Sequence, residues 1–369
     1  MGKSYNKDGS HWQQAAARLW HSVVSEGLIK TLKGERQRGN NLGPVWALDC
    51  GCGHGKASDG MMAAVHKAMQ EHRHEIGGHR CLCVIHNDLP SNHWAELFNT
   101  VNAPAGYAAG GPPTAMAFAS GKTMYERQAP DESLHLVVAF NSIHWMDHQP
   151  RPLSDGLVFQ CSTDKEATQA WLQVKQRELE TFLRLRSAEL VPGGRIVVSW
   201  VETKEGGGVF KAVHNVVNVM ADEGWVSRET ASKASLPFVF LPMSTLLQPW
   251  EGLEAIWTAD NEVFLHAYNT RVASGQCDEG KATEMFFDDL MLSARGWAEG
   301  MVTSFMADDC KRAAASGGLE GHNPADAADA VAAGVKQFYV TLRGELVRSY
   351  GNRPGPLGIK SHVFVIRKI

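Results

Sequence analysis

Val45-Trp46-Ala47-Leu48-Asp49-Cys50-Gly51-Cys52-Gly53-His54-Gly55 decides how this chain is read. Val45 to Asp49 is a short apolar run ending in an acid, the pattern of a strand buried in a sheet. The glycines follow at once, and residues 58–72 carry helical spacing. A strand, a glycine turn and a helix in succession open an α/β fold. Glycine lets the backbone turn sharply and approach a ligand closely. The spacing is G-x-G-x-G, with Asp49 two residues before the first glycine. Dinucleotide sites place the third glycine one residue later. The difference suits S-adenosylmethionine (SAM), which has no pyrophosphate to cradle but carries an ammonium, a carboxylate and a sulfonium. Asp49 can face the ammonium, and the amides of Gly51, Cys52 and Gly53 the rest. An ordinary glycine turn fits the triplet equally well.

The flanking chain repeats the alternation. Residues 11–33 have helical periodicity, through Trp12, Ala16, Leu19, Val23, Leu28 and Leu32. Cys81 to Ile85 is a second strand, ending at Asn87-Asp88. Residues 91–101 form a short helix, Ala115 to Ala119 a weak strand, and Leu134 to Phe140 the clearest strand. A helix over 164–190 stops at Pro192-Gly193-Gly194, and Arg195 to Trp200 is the next strand. Strands alternating with helices imply a parallel sheet. Beyond Val201 the pattern changes. Helices are expected over 209–223, 283–306 and 325–349, Pro-interrupted segments over 236–250, and a last strand at Val363 to Ile366. Asp88 falls at the carboxyl edge of the sheet, where an acid can accept the ribose hydroxyls of an adenosine. A lone acid after a strand also caps helices and forms turns.

Composition narrows the class. The 369 residues carry 36 Lys+Arg against 40 Asp+Glu, a net charge of −4. That balance gives no reason to expect a nucleic-acid partner. No apolar run approaches the roughly 18 residues a membrane helix needs, and Met1 to Ser10 are polar. Seven cysteines in a chain this long do not form a disulfide framework, which points to a reducing cytoplasm. Cys50, Cys52, Cys81 and Cys83, with His54 and His86, could be drawn as a thiolate metal site. The C-x-C spacing lacks zinc geometry, and no metal is expected.

Five blocks resemble the SABATH family of SAM-dependent methyltransferases, which includes carboxyl methyltransferases of salicylate, benzoate and jasmonate and N-methyltransferases of the caffeine pathway. The blocks are Ser4-Tyr5-x-Lys7; Leu48-Asp49-Cys50-Gly51-Cys52; Asn87-Asp88-Leu89-Pro90-Ser91-Asn92 with Leu97-Phe98; Ser133-Leu134-His135 with Ser142-Ile143-His144-Trp145; and Phe182-Leu183 through Glu189-Leu190-Val191-Pro192-Gly193-Gly194. The resemblance runs from about residue 4 to 250. It implies a Rossmann-like α/β sheet with a mostly helical cap. The core would take residues 1–205 with about 255–275 and 360–369, and the cap 206–254 and 276–359.

The same resemblance implies roles. Tyr5, Asp49, Gly51, Cys52, Gly53, Asp88 and Leu89 would line the SAM site, with Thr123 and Met124 around the adenine and Phe140 beside Asn141. Asn141, His144 and Trp145 would face the acceptor, and Phe210 and Phe240 would shape its pocket. The position that helps hold a carboxylate is Trp12 ungapped and Gln13 with one insertion. Where some members hold a metal, this chain has Ser154, Ser232 and Ala234, poor ligands for Mg²⁺. The implied partner is a small-molecule acceptor, and the implied assembly a homodimer.

The chemistry separates acceptors. A carboxylate is ionised at neutral pH and needs only donors that aim one oxygen, such as the Trp145 indole or the Gln13 amide. An amine must lose a proton, so a base such as His144 would matter more. A SAM-binding protein without turnover is the third reading.

Overall fold

The computed structural model describes residues 11–39, 42–109, 114–202, 208–242, 244–245, 248–261, 268–269, 271–315, 324–350 and 360–369. Helix α1 (His11–Gln37) precedes strand β1 (Val45–Cys50). Then come α2 (Lys56–Glu71), β2 (Leu82–Asp88), α3 (Trp94–Val101), β3 (Ala115–Gly121), β4 (Leu134–Phe140), α4 (Lys165–Glu189) and β5 (Leu190–Glu202). The second half adds α5 (Gly208–Asp222), α6 (Arg228–Lys233), β6 (Leu253–Asn261), α7 (Glu279–Ala315), α8 (Pro324–Tyr350) and β7 (Lys360–Lys368).

The strands form one sheet in the order β3-β2-β1-β4-β5-β7-β6. Its two faces follow from the period of two. On β4, Leu136 and Val138 join Val45, Ala47, Val84 and the α1 stripe of Trp20, Val24, Leu28 and Leu32. Val137 and Ala139, one residue out of step, pack with Trp171, Phe182 and Leu183 of α4. Helices α1 and α2 therefore cover one face and α4 the other. Burial on both faces is why these strands read as continuous apolar runs. A third cluster joins α5, α7 and α8 through Val213, Val217, Phe286, Leu290, Phe338 and Leu342.

The parallel pairing expected from the alternation holds from β3 through β2, β1 and β4 to β5, and β7 runs antiparallel to both β5 and β6. Apolar periodicity locates a strand but carries no sign of its direction, and an antiparallel strand can enter between two neighbours without a crossover of fixed hand. One expectation is corrected: Pro192-Gly193-Gly194 does not separate α4 from β5. The strand starts at Leu190, opposite Leu134, and the register then jumps so that Leu136 faces Arg195. Gly193, at φ 80°, lies in that bulge. The short helix α6, capped by the Ser227 side chain accepting from the Thr230 amide, was not foreseen.

Away from the glycine turn, Glu35 of α1, Arg80 before β2 and His135 of β4 are all buried together. Arg80 donates to Glu35 at 2.7 Å and to the Gly43 carbonyl at 2.7 Å. The Trp46 amide donates to His135 Nδ1 at 3.2 Å, which leaves Nε2 as the N–H facing Glu35 at 3.3 Å. Burial alone would raise the Glu35 carboxyl, but the hydrogen bonds from His135 and Arg80 outweigh it and bring it down to about 2. A depressed carboxyl stabilises the fold above its unfolded value and loses that contribution as pH falls through its folded value. Glu35→Gln should therefore cost about 3 kcal/mol at pH 7, the range for breaking a buried pair. In denaturant titrations the gap from wild type should shrink as pH falls from 4.5 towards 2.

Candidate active site

Three neighbouring strand ends build the site. The chain steps from β1 to β2 to β3 on one side, then returns to lay β4 on the other flank of β1. Open α/β sheets bind ligands in the crevice at such a switch point. Here the crevice holds a cavity of about 470 Å³.

The glycine turn is fastened to the end of β2. Gly51 and Cys52 donate their amides to the Asn87 carbonyl at 2.8 and 3.1 Å. Gly53 donates to Asp88 Oδ2 at 2.8 Å, and Leu89 to Asp88 Oδ1 at 2.8 Å. The amides of Gly51, Cys52 and Gly53, expected to face the ligand, are thus spent inside the protein. Each Asp88 oxygen keeps a lone pair for a ligand hydroxyl. Burial raises the Asp88 carboxyl, and the two amides pull it back. Asn87 also donates its side-chain amide to the Ser120 and Lys122 carbonyls at 3.0 and 2.7 Å, which ties the end of β3 to the same corner.

Asp49 is buried and accepts at 2.9 Å from Nδ1 of His86, whose Nε2 meets the Tyr107 hydroxyl at 2.8 Å. The Asp49, Cys52 and His86 donor atoms lie within 4.8 Å of one another. Both ring nitrogens of His86 are engaged, and burial pushes the Cys52 thiol up. As arranged, the trio is a poor cation holder.

The segment after β4 supplies the other wall. Asn141 has φ 50°, a left-handed conformation that asparagine tolerates, and its side-chain oxygen accepts from Ser199 at 2.9 Å. Ser142 donates to the Cys50 carbonyl at 2.7 Å. His144 and Met146 pair with the chain at 237–239, where Val239 donates to the His144 carbonyl and Met146 to the Pro237 carbonyl. Phe238 and Phe240, two residues apart on this extended piece, have ring centroids 5.1 Å apart. Phe240 lies 4.8 Å from the His144 ring and 5.1 Å from Phe210, and Trp145 lies 5.4 Å from Phe238. His144 is buried at the cavity wall. Burial, helped by the positive charge of Lys175, lowers it to about 3.

From Asp49 onward, every residue expected at the cofactor or acceptor site borders this cavity, from the turn and Asp88-Leu89 through Thr123-Met124 to Phe210 and Phe240, whereas Ser154, Ser232 and Ala234 do not. Tyr5 lies outside the described residues, as do the side chains of Trp12 and Gln13 in α1. Sequence reading missed Ser142, Phe238 and His86. Phe238 had a signal in its alternation with Phe240. The sequence offers His86 only as a candidate metal ligand.

Residues 2–304 match the family described as SAM dependent carboxyl methyltransferase. The chain belongs to that family. Among curated relatives, Methyltransferase FUS9 of Gibberella fujikuroi is 25% identical over 217 residues, 57% of each chain. Jasmonate O-methyltransferase of Arabidopsis thaliana is 26% identical over 270 residues, 64% of this chain and 67% of its own. The match thus spans little more than half of the first relative's length. A solved loganic acid methyltransferase with SAH is 16% identical, covers 100% of this chain and 98% of its own, and superposes with a TM-score of 0.74. That likeness shows the fold: the α/β methyltransferase sheet.

Gly51 is the turn position this methyltransferase fold can least change. Its φ is +74°, and a Cβ there would sit 2.4 Å from the Ser142 Cβ. Gly51→Ala should cost at least about 1–2 kcal/mol for the left-handed backbone alone. Adding Ser142→Gly should recover the steric part and leave the backbone part, as a double-mutant cycle in denaturant would read.

Proposed function

We propose that the protein transfers a methyl group to the carboxylate of a small, largely apolar acid, giving a methyl ester. The observation that carries this reading is the setting of His144, a buried ring packed against Trp145, Phe238 and Phe240. A ring lowered to about 3 stays neutral and is a feeble base, so the acceptor best served arrives already deprotonated. When bound, SAM supplies an electrophilic methyl carbon whose C–S bond electrons return to sulfur as the acceptor oxygen forms the new C–O bond.

The chain's own task is placement, because an in-line displacement is governed by approach and orientation. Asp88 offers its free lone pairs to the ribose hydroxyls, and Asp49 faces the ammonium. Gly51, Cys52 and Gly53 give the close backbone approach, and Leu89, Thr123, Met124 and Phe140 border the nucleoside. Trp145 aims the acceptor with its indole N–H, with Trp12 or Gln13 as second donor. Phe210 and Phe240 favour an apolar body behind the carboxylate. In this reading the sheet carries the cofactor and the helices packed around α5, α7 and α8 cap the acceptor, along the division drawn from the sequence. All seven cysteines are free thiols, which supports a reducing, cytoplasmic setting. Among the described residues no helix is long and apolar enough to cross a membrane. The family and the names of the jasmonate and loganic acid relatives support a carboxylate acceptor.

Incubation with methyl-labelled SAM and a panel of monocarboxylic acids tests the reading. Label should appear in a product that mild alkali hydrolyses; an alkali-stable product would point to nitrogen or sulfur instead. Between pH 5.5 and 7.5 turnover should show no inflection from His144, because burial lowers that ring to about 3. Asp88→Ala should weaken SAM binding by about 1–3 kcal/mol in calorimetry, through the lost acceptors. Trp145→Phe should lower turnover and leave SAM affinity in place.

A further inference from the structure

Lys175 occupies a position suited to an apolar side chain. On α4, Trp171, Lys175, Glu178, Phe182 and Arg186 follow one another at intervals of three or four, and all are buried. Lys175 lies behind the cavity wall, with no exposed side-chain surface. Its ammonium donates to the Tyr125 hydroxyl at 2.6 Å, the Trp145 carbonyl at 2.8 Å and Glu178 at 3.1 Å. Three N–H groups meet three acceptors, so the charge is fully satisfied.

Those acceptors belong to the site's framework. Tyr125 in turn donates to the Trp145 carbonyl at 2.6 Å, with the Ile143 carbonyl at 3.1 Å. The other oxygen of Glu178 accepts from the Asp147 amide at 2.9 Å. The ammonium thus holds residue 145 of the acceptor loop directly, and through Tyr125 and Glu178 it is linked to residues 143 and 147. Further along the helix, Arg186 holds the Met124 and Glu126 carbonyls at 2.9 Å each. Burying an ion pair is costly, and well-packed apolar side chains would often serve stability as well or better. Burial also draws Lys175 down to about 8, against the pull of Glu178. A charge kept at that cost, aimed at the backbone of Trp145, has a use beyond packing.

We propose that Lys175 is a positioning residue for the acceptor half of the site: its ammonium clamps the Trp145 carbonyl and the Tyr125 hydroxyl and so sets the direction of the His144 and Trp145 rings. The functional meaning of that clamp rests on the methyl-transfer reading, whereas the clamp itself rests on the contacts above.

Hydrogen–deuterium exchange on the full chain tests it. The informative variant is Lys175→Met/Glu178→Leu, which replaces the pair with apolar side chains and leaves no orphaned charge. It should fold with its thermal midpoint largely kept, while exchange in peptides spanning 141–147 and 122–128 speeds about tenfold and peptides from α1 and β1 stay unchanged. Tyr125→Phe, which removes one arm of the clamp, should show a smaller rise in the same peptides and serves if the double variant does not fold. Unchanged exchange at 141–147 in a folded variant, or a rise spread evenly over the chain, would overturn the proposal. Calorimetry with S-adenosylhomocysteine on the wild type is the separate control. Absence of binding there would sink the cofactor reading and leave the exchange result standing on its own.

Discussion

The site hangs on the end of strand β2. The Asn87 carbonyl takes the amides of Gly51 and Cys52, and the Asp88 carboxylate takes that of Gly53. Those three donors sit in the turn between β1 and α2, outside the ladder of either element. Buried amides need partners, and here the neighbouring strand supplies them. Parallel pairing of β1 with β2 runs to Cys50 and Asn87, so the turn is the direct continuation of the ladder. Backbone geometry then requires glycine at Gly51, because Ser142 packs where a side chain would go. Asp88 performs two tasks at once: it staples the turn and leaves lone pairs facing the cavity.

A few charged side chains are buried, and they brace strand ends and loops. Glu35, Arg80 and His135 lock α1 to the amino ends of β1 and β4. Lys175 and Arg186 project from α4 towards backbone carbonyls of the two loops that border the cavity. Each ion is paired within the core, so the desolvation cost is partly offset by hydrogen bonds. The wall beyond Trp145 is built from the Phe210, Phe238 and Phe240 rings. His144, enclosed by Trp145, Phe238 and Phe240, is kept neutral, which gives an apolar chamber beside a polar cofactor crevice.

Most of the frame was legible because local patterns carry it. Leu134 to Phe140 reads as a strand from seven residues, and it is one. The turn at Gly51 to Gly55 and the acid at Asp88 were legible because each directly follows a buried strand and the two occur in one chain, which neither motif alone would decide. Strand direction was not legible: Val363 to Ile366 looks the same run either way, and only pairing with Arg195 to Ser199 makes it antiparallel. The bulge at Gly193 was hidden because proline and glycine also end helices. Lys175 was hidden in plain view, as a basic residue on the apolar stripe between Trp171 and Phe182.

By itself the sequence determined the alternation of strands and helices through β5, the turn and a set of residues that border the cavity, since these depend on neighbours within a few positions. The tertiary structure decided what each polar group faces. It turned the amides of Gly51 to Gly53 inward, gave Asp49 a histidine partner, and set a buried ammonium behind Trp145. Hydrogen-bond partners and local dielectric are properties of the packed chain. No spacing along the sequence contains them.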